Sequence, residues 1–182
     1  MNLSRRNGRR LAELSSRAMN MAMTDHEYTL RAPRYALLQS SQECWKCHRP
    51  TPVVGFLVPA GHEELWVDDP YHDEWERMDC ASIISNVSRL APAVLSRVQA
   101  LSQHYGPGRT KTGGSYLMNS CAHCKAVQGD FFLYSEPDGA FFPTTPEGLD
   151  RIRVIPVEEA FACHGDGGYG TVSDQLAGMA WK

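Results

Sequence analysis

The sequence predicts an α+β fold, in which a small antiparallel sheet carries two cysteine knuckles and a kinked helix or helix pair packs on that sheet. Three observations predict it. Short apolar segments are bounded by Gly and Pro, as strands usually are. Two C-x-x-C pairs, Cys44–Cys47 and Cys121–Cys124, each lie between such segments. One longer segment, residues 80–104, has the spacing of a buried helix face.

The strand predictions rest on local pattern. Residues 51–58 form an apolar segment that ends at Pro59, and Gly61 marks the turn before the next segment. Turn-forming residues at 136–139 predict that the following segment returns as a hairpin. The acidic residues 68–76 and the glycine-rich residues 163–170 are expected to be loops, and residues 173–181 a short closing helix. The predicted strands are 34–39, 51–58, 64–67, 115–119, 131–134, 140–142 and 151–157.

The helix prediction covers residues 80–104. Its apolar residues recur every three or four positions, and Asp79 is a suitable N-cap. Pro92 either kinks this helix or begins a second one, because proline is tolerated at the first helical position. The residues that follow the spacing are Ile83, Ile84, Val87, Leu90, Ala91, Val94, Leu95, Val98 and Leu101.

The two cysteine pairs predict a metal site. Four thiolates complete the tetrahedral shell of a structural zinc ion, and a long insertion between the pairs adds little loop entropy. We therefore expect Cys44, Cys47, Cys121 and Cys124 to bind one structural Zn²⁺. His48 and Lys125 follow the second cysteine of each pair, where glycine is usual, so the knuckle geometry stays open.

Two other metal arrangements have weaker support. His62 and Glu64, with Cys121 and Cys124, imitate the H-x-E and C-x-x-C signature of zinc deaminases, but Ser120 replaces the expected proline. A zinc-dependent hydrolase or deaminase-like enzyme using His62 and Glu64 is thus one alternative function, and a nucleic-acid-binding accessory protein is the other. A second metal site would combine Cys163 and His164 with His48 or His123, and Cys80 as a further ligand, although buried cysteine is commonly only a small apolar residue.

Charge is distributed unevenly along the 182 residues, whose net charge is −3. We expect residues 1–27 to form a basic N-terminal arm and residues 28–182 a single zinc-stabilised α+β domain. Residues 1–24 also resemble a targeting segment, and the true start codon is open between Met1 and the three methionines at 19, 21 and 23. Nucleic-acid phosphate contacts would come from exposed bases, and the candidates are Arg5, Arg6, Arg9, Arg10, Arg109 and Lys111.

Cellular location follows from what the sequence lacks. No segment reaches the ~20 apolar residues of a membrane helix, and no secretory signal is present. Six cysteines are too few for a disulfide scaffold, and paired cysteines in the cytosol favour metal binding. We therefore expect a cytoplasmic protein without a membrane partner.

The segments around the cysteines resemble a family of uncharacterised bacterial zinc-ribbon-like proteins with two C-x-x-C knuckles. Residues 44–48 with 51–56 are similar to the first half of that family, and residues 119–124 with 128–133 to the second. The resemblance implies a zinc-ribbon-like fold over roughly residues 35–157 and implies no activity.

The sequence therefore predicts a non-catalytic zinc-binding adaptor for a protein or nucleic-acid partner. Four thiolates leave no open coordination position for water or substrate, which argues against catalysis at this metal. The aromatic residues near the predicted strands form either a binding face or part of the core; they are Trp45, Trp66, Trp75, Phe131 and Phe132.

Overall fold

A computed structural model describes residues 26–69, 72–110 and 113–181 of the chain. The basic residues 1–24 and Lys111 lie outside the described residues, so the predictions made for them stay predictions. The fold is mostly β, so the predicted small α+β sheet is wrong. One antiparallel sheet has eight strands and a second has three.

The large sheet contains β1 (Leu30–Ala32), β2 (Tyr35–Glu43), β3 (Pro50–Val58), β4 (Glu63–Asp69), β5 (His72–Arg77), β6 (Ser82–Leu90), β10 (Arg153–Val157) and β11 (Phe161–Gly168). Its order is β10-β2-β3-β6-β11-β1-β4-β5. The small sheet contains β7 (Tyr105–Arg109), β8 (Ser115–Ser120) and β9 (Val127–Gln128), in the order β7-β8-β9.

Four helical segments complete the described chain. They are α1 (Pro92–Leu101), a π-helix (Phe131–Ser135), α2 (Pro146–Leu149) and α3 (Thr171–Ala180). No described helix has the length and apolar character that crossing a bilayer requires.

Both faces of the large sheet are covered, which explains the continuous apolar sequence of β3. Val54 and Phe56 pack on one face with α1 and Tyr105 of β7. Val53 and Leu57 pack on the other with the π-helix and α3. The protein therefore has two hydrophobic clusters separated by one sheet.

The predicted helix over 80–104 is wrong in its first half. Residues 82–90 form β6, and the helix is limited to residues 92–101. Asn86 has φ of 52°, and the pairing with β11 shifts register opposite Gly165. This bulge brings Ile84, Val87 and Leu90 into the same cluster at a spacing of three. A bulged strand thus imitates the helical period.

Three further expectations are corrected. Residues 131–134 are π-helical, and the acidic residues 68–76 lie largely in the β4–β5 hairpin. The glycine-rich residues 163–168 belong to β11. The missing side chain at Gly167 leaves room for Glu64, because a Cβ there would lie 2.0 Å from Glu64 Oε1 and the carboxylate would have to move. The strands predicted at 51–58 and 115–119 are confirmed, as is the closing helix, which begins at Thr171.

Candidate metal centre

The two cysteine pairs form matching turns at the ends of strands. In the first, between β2 and β3, the backbone carbonyl of Cys44 accepts a hydrogen bond from the His48 N–H at 2.9 Å. In the second, between β8 and β9, the backbone carbonyl of Cys121 accepts one from the Lys125 N–H at 3.0 Å. The residues after the second cysteines have φ of 55° at His48 and 63° at Lys125. Both turns thus adopt the left-handed geometry without the usual glycine.

The fold brings the four predicted ligands together. All four sulfur atoms lie within 4.8 Å of one another. The Sγ atoms of Cys44 and Cys124 are 3.6 Å apart, and those of Cys47 and Cys121 are 3.7 Å apart. A tetrahedron with Zn–S bonds of about 2.3 Å has edges of about 3.8 Å, so these spacings fit a metal ion held by four sulfurs.

Burial divides the four ligands into an inner and an outer pair. Cys44 and Cys121 are buried, whereas Cys47 and Cys124 are partly exposed. Burial raises the pKa of Cys121, but the N–H groups of Cys124 and His123 and the neighbouring thiols lower it to about 6 overall. At Cys47 the Arg49 N–H lowers the pKa, but burial and the three other thiols raise it to about 12. The crowded thiols thus move the pKa of Cys121 and that of Cys47 in opposite directions.

The sulfurs also accept hydrogen bonds from outside the cluster. The His123 N–H lies 3.4 Å from Cys121 Sγ, and the buried Gln128 amide donates to Cys44 Sγ at 3.4 Å. Such donors stabilise thiolate charge and orient the ligands. Gln128 was not predicted from the sequence, because a lone glutamine carries no recognisable metal-site signal.

Direct hydrogen bonds hold the two knuckles against each other. Trp45 Nε1 donates to the Val127 carbonyl at 2.7 Å, and the Ala122 N–H donates to the buried Thr51 hydroxyl at 2.9 Å. His123 Nε2 is 3.0 Å from the Pro50 carbonyl and must donate, since that oxygen only accepts. The protein itself therefore positions the ligands, in addition to any metal ion.

Asn119 of β8 joins the two sheets next to this site. Its buried amide donates to the Val54 carbonyl and accepts from the Val54 N–H, both at 2.9 Å. β6 pairs with β3 only at residues 56–58 of β3, so Val54 lies beyond that pairing. The Asn119 side chain thus occupies the position of a neighbouring strand and fixes the second knuckle beside the first.

The residues of the alternative deaminase-like site, His62 and Glu64, do not lie in the cysteine cluster. His62 is buried, with Nδ1 2.9 Å from the Pro59 carbonyl and Nε2 3.2 Å from Glu64 Oε1. Both ring nitrogens are therefore engaged within the β4–β5 region. Among the described residues, the group of metal-capable side chains found together is the four cysteines.

The residues considered for a second metal site or for phosphate contacts also lie outside the cysteine cluster. Cys163 is buried in β11, and burial, with Asp166 and Glu64, raises the pKa of its thiol well above the usual range. His164 contacts the Ser88 hydroxyl at 3.0 Å, and Cys80 lies in the turn before β6. Arg109 is exposed at the end of β7.

Four of the aromatic residues are exposed, namely Trp45, Trp66, Phe131 and Phe132. Trp75 is partly buried beneath the Arg31 guanidinium, which lies 4.2 Å from its ring centre. The sequence had left open whether these side chains form core or surface, and most of them are surface.

Comparison with known proteins supplies no relative. No protein-family model, curated protein or solved structure matches the chain. The fold and site therefore define the protein only as a mostly β protein with a four-cysteine cluster that can hold a metal ion. The resemblance to zinc-ribbon-like proteins stays a prediction.

Proposed function

We propose that Cys44, Cys47, Cys121 and Cys124 hold one structural Zn²⁺ and that the protein is a non-catalytic zinc-binding adaptor. The observation that carries this proposal is the sulfur geometry, with cross-knuckle distances of 3.6 Å and 3.7 Å. Zinc prefers a closed tetrahedral thiolate shell, and such a shell has no free position for water or substrate. Because the ligands need to stay reduced, the cytosol is the proposed compartment.

The surrounding charges support a structural role. Four thiolates and one Zn²⁺ carry a net charge of about −2. Lys46, Arg49 and Lys125 are exposed on or beside the two knuckles, where they offset that charge. Positive side chains here are thus accounted for by the metal centre itself, without a nucleic acid.

Metal content tests the proposal. Purified protein is expected to contain one zinc per chain, and both Cys44→Ser and Cys121→Ser are expected to lose it. Cys80→Ser, which changes a thiol outside the cluster, is the matched control and keeps the metal. X-ray absorption should show four sulfurs at about 2.3 Å. A shell of two sulfurs, one imidazole and one water would refute the adaptor and favour an enzyme.

The partner is proposed to be a protein or a nucleic acid, and salt dependence separates the two. Phosphate contacts by Arg5, Arg6, Arg9, Arg10, Arg109 and Lys111 would give an affinity for RNA or DNA that falls steeply with salt. Deleting residues 1–24 should then weaken binding and flatten that dependence. If the full-length chain binds neither nucleic acid at low salt, the partner is a protein.

A further inference from the structure

A cleft on the α3 side of the large sheet is not used by the metal centre. Its volume is about 450 Å³, and its walls come from β6, the π-helix, the segment at 141–142 and residues 168–173. Clefts of a few hundred Å³ with aromatic walls and a few polar groups are typical of small-molecule sites. We propose that this cleft binds a neutral, planar aromatic small molecule that carries a hydrogen-bond acceptor.

The aromatic walls are built into the fold. The rings of Tyr134 and Phe141 are stacked, with centroids 5.2 Å apart and planes at 19°. Phe141 is buried and belongs to the hydrophobic cluster on this face, so the pair is held in place. The Tyr134 hydroxyl lies only 3.0 Å from where a Cβ on Gly55 would stand. The pair therefore forms a rigid inner wall, and the exposed rings of Phe142 and Tyr169 are the ones on which a flat ligand can stack.

Two exposed rings lie at the mouth of the cleft. Phe142 is 38% exposed and Tyr169 is 69% exposed, and both line the cleft. Gly168 and Gly170 flank Tyr169, and a Cβ on Gly170 would meet no atom within 4 Å. The mouth is thus open, and the Tyr169 ring is available to cover a bound ligand.

The charges select a neutral ligand. No Asp, Glu, Lys, Arg or His is among the residues that line the cleft. Glu136 and Asp174 lie next to lining residues in the chain, and Asp166 is paired with the lining residue Ser85. All three acids are exposed, so an anion would meet repulsion and no basic partner. A cation is disfavoured by the N-terminus of α3, whose partial positive charge lies in this wall.

The N-terminus of α3 also explains why the ligand should carry a hydrogen-bond acceptor. The first N–H groups of an α-helix have no partner within the helix, and in α3 they belong to Thr171, Val172 and Ser173, which line the cleft. The hydroxyls of Ser85 and Ser135 are in the same walls. A ring that carries a carbonyl or amide oxygen satisfies these donors without introducing charge.

Titration of the full-length protein as purified with 2-naphthamide tests the proposal, with amide shifts followed by ¹H–¹⁵N NMR. We expect saturable shifts confined to residues 83–85, 134–142 and 168–173. The anion 2-naphthoate should bind at least about tenfold more weakly, since it gains no basic partner. The saturated decahydronaphthalene-2-carboxamide should bind about fivefold more weakly, because it cannot stack.

Two matched variants locate the site. Tyr169→Ala removes a ring at the mouth of the cleft and should weaken the binding of 2-naphthamide about fivefold or more. Phe131→Ala removes an equally exposed ring that does not line the cleft, and should leave the affinity unchanged. Absence of saturable binding, shifts outside the cleft, equal affinity for 2-naphthoate, or unchanged affinity in Tyr169→Ala would each overturn the proposal. Metal content is measured on the same samples, so these outcomes are independent of the zinc proposal.

Discussion

The substitution Asp130→Asn should stabilise the protein at neutral pH. The Asp130 side chain is nearly buried, and its Oδ2 accepts a hydrogen bond of 2.7 Å from the Asn86 N–H in the bulge of β6. Asn86 in turn donates through its side chain to Asp166 at 2.8 Å. An asparagine at position 130 keeps an oxygen acceptor for the Asn86 N–H and removes the buried charge.

The magnitude follows from the pKa of Asp130. Burial raises this pKa from 3.8 to about 6, the Asn86 N–H opposes the rise and Asp166 adds to it. Because the folded pKa lies above the unfolded one, Asp130 contributes most favourably below pH 3.8 and loses that contribution as pH rises through about 6. The loss at neutral pH is about 3 kcal/mol, at about 1.4 kcal/mol per pKa unit.

Urea unfolding of both proteins at several pH values measures this effect. The difference in the free energy of unfolding between Asp130→Asn and the natural protein is free of the contribution from cysteine protonation, because that contribution is the same in both proteins. We expect the free energy of unfolding of Asp130→Asn to exceed that of the natural protein by about 1 kcal/mol near pH 4.5 and by about 3 kcal/mol near pH 7.5. The exposed Asp150→Asn is the control and should change stability by less than about 0.5 kcal/mol. A gain that does not vary with pH, or a loss at pH 7.5, would refute the reasoning.

Four further perturbations test other parts of the fold. Asn119→Ala leaves the buried N–H and carbonyl of Val54 unpaired and should cost about 3–5 kcal/mol in urea unfolding, with weaker zinc retention. Lys125→Gly relieves the left-handed backbone and should add about 0.5–1 kcal/mol, measured as a higher Tm. Gly167→Ala would place a Cβ 2.0 Å from Glu64 Oε1, so the Glu64 carboxylate must move away from His62 Nε2, and the lost contact should cost about 0.5–1.5 kcal/mol. Removing the metal with a chelator should lower Tm by about 10 °C or more, while the far-UV circular dichroism keeps its β character.

Each of these outcomes has a clear contrary result. Gly168→Ala is the control for Gly167→Ala, because its Cβ would meet the Ile83 carbonyl at 3.5 Å, an ordinary contact. Equal losses in the two alanine variants would contradict the steric argument. Loss of the β spectrum on chelation would show that the hydrogen bonds between the knuckles do not hold the fold without metal. Unchanged stability of Asn119→Ala would contradict the role of its hydrogen bonds to Val54. A lower Tm in Lys125→Gly would contradict the argument from the positive φ at that residue.

The cysteine cluster could be predicted from sequence because its chemistry is local. Two residues between cysteines fix each turn, and four thiols of this type have few other structural uses. The close approach of the four sulfurs bears out that reasoning. The contributions of Asn119, Gln128 and Thr51 could not be predicted, since each depends on a partner that is distant in the chain.

The fold class could not be predicted because two local patterns pointed to the wrong structure. The Asn86 bulge places residues of one face of β6 three positions apart, which imitates a helix. The glycines of β11 suggest a loop, yet they allow neighbouring side chains to lie against the strand. In both places a long-range pairing, and not local propensity, determines the conformation.

The strand order has a consequence for synthesis on the ribosome. β11 follows every other described strand in the chain, yet it lies between β6 and β1 in the interior of the eight-stranded sheet. Until residues 161–168 leave the exit tunnel, both of those strands present open edges to solvent. The nascent chain is therefore open to intermolecular pairing at these two edges from the synthesis of β6 until β11 inserts between them.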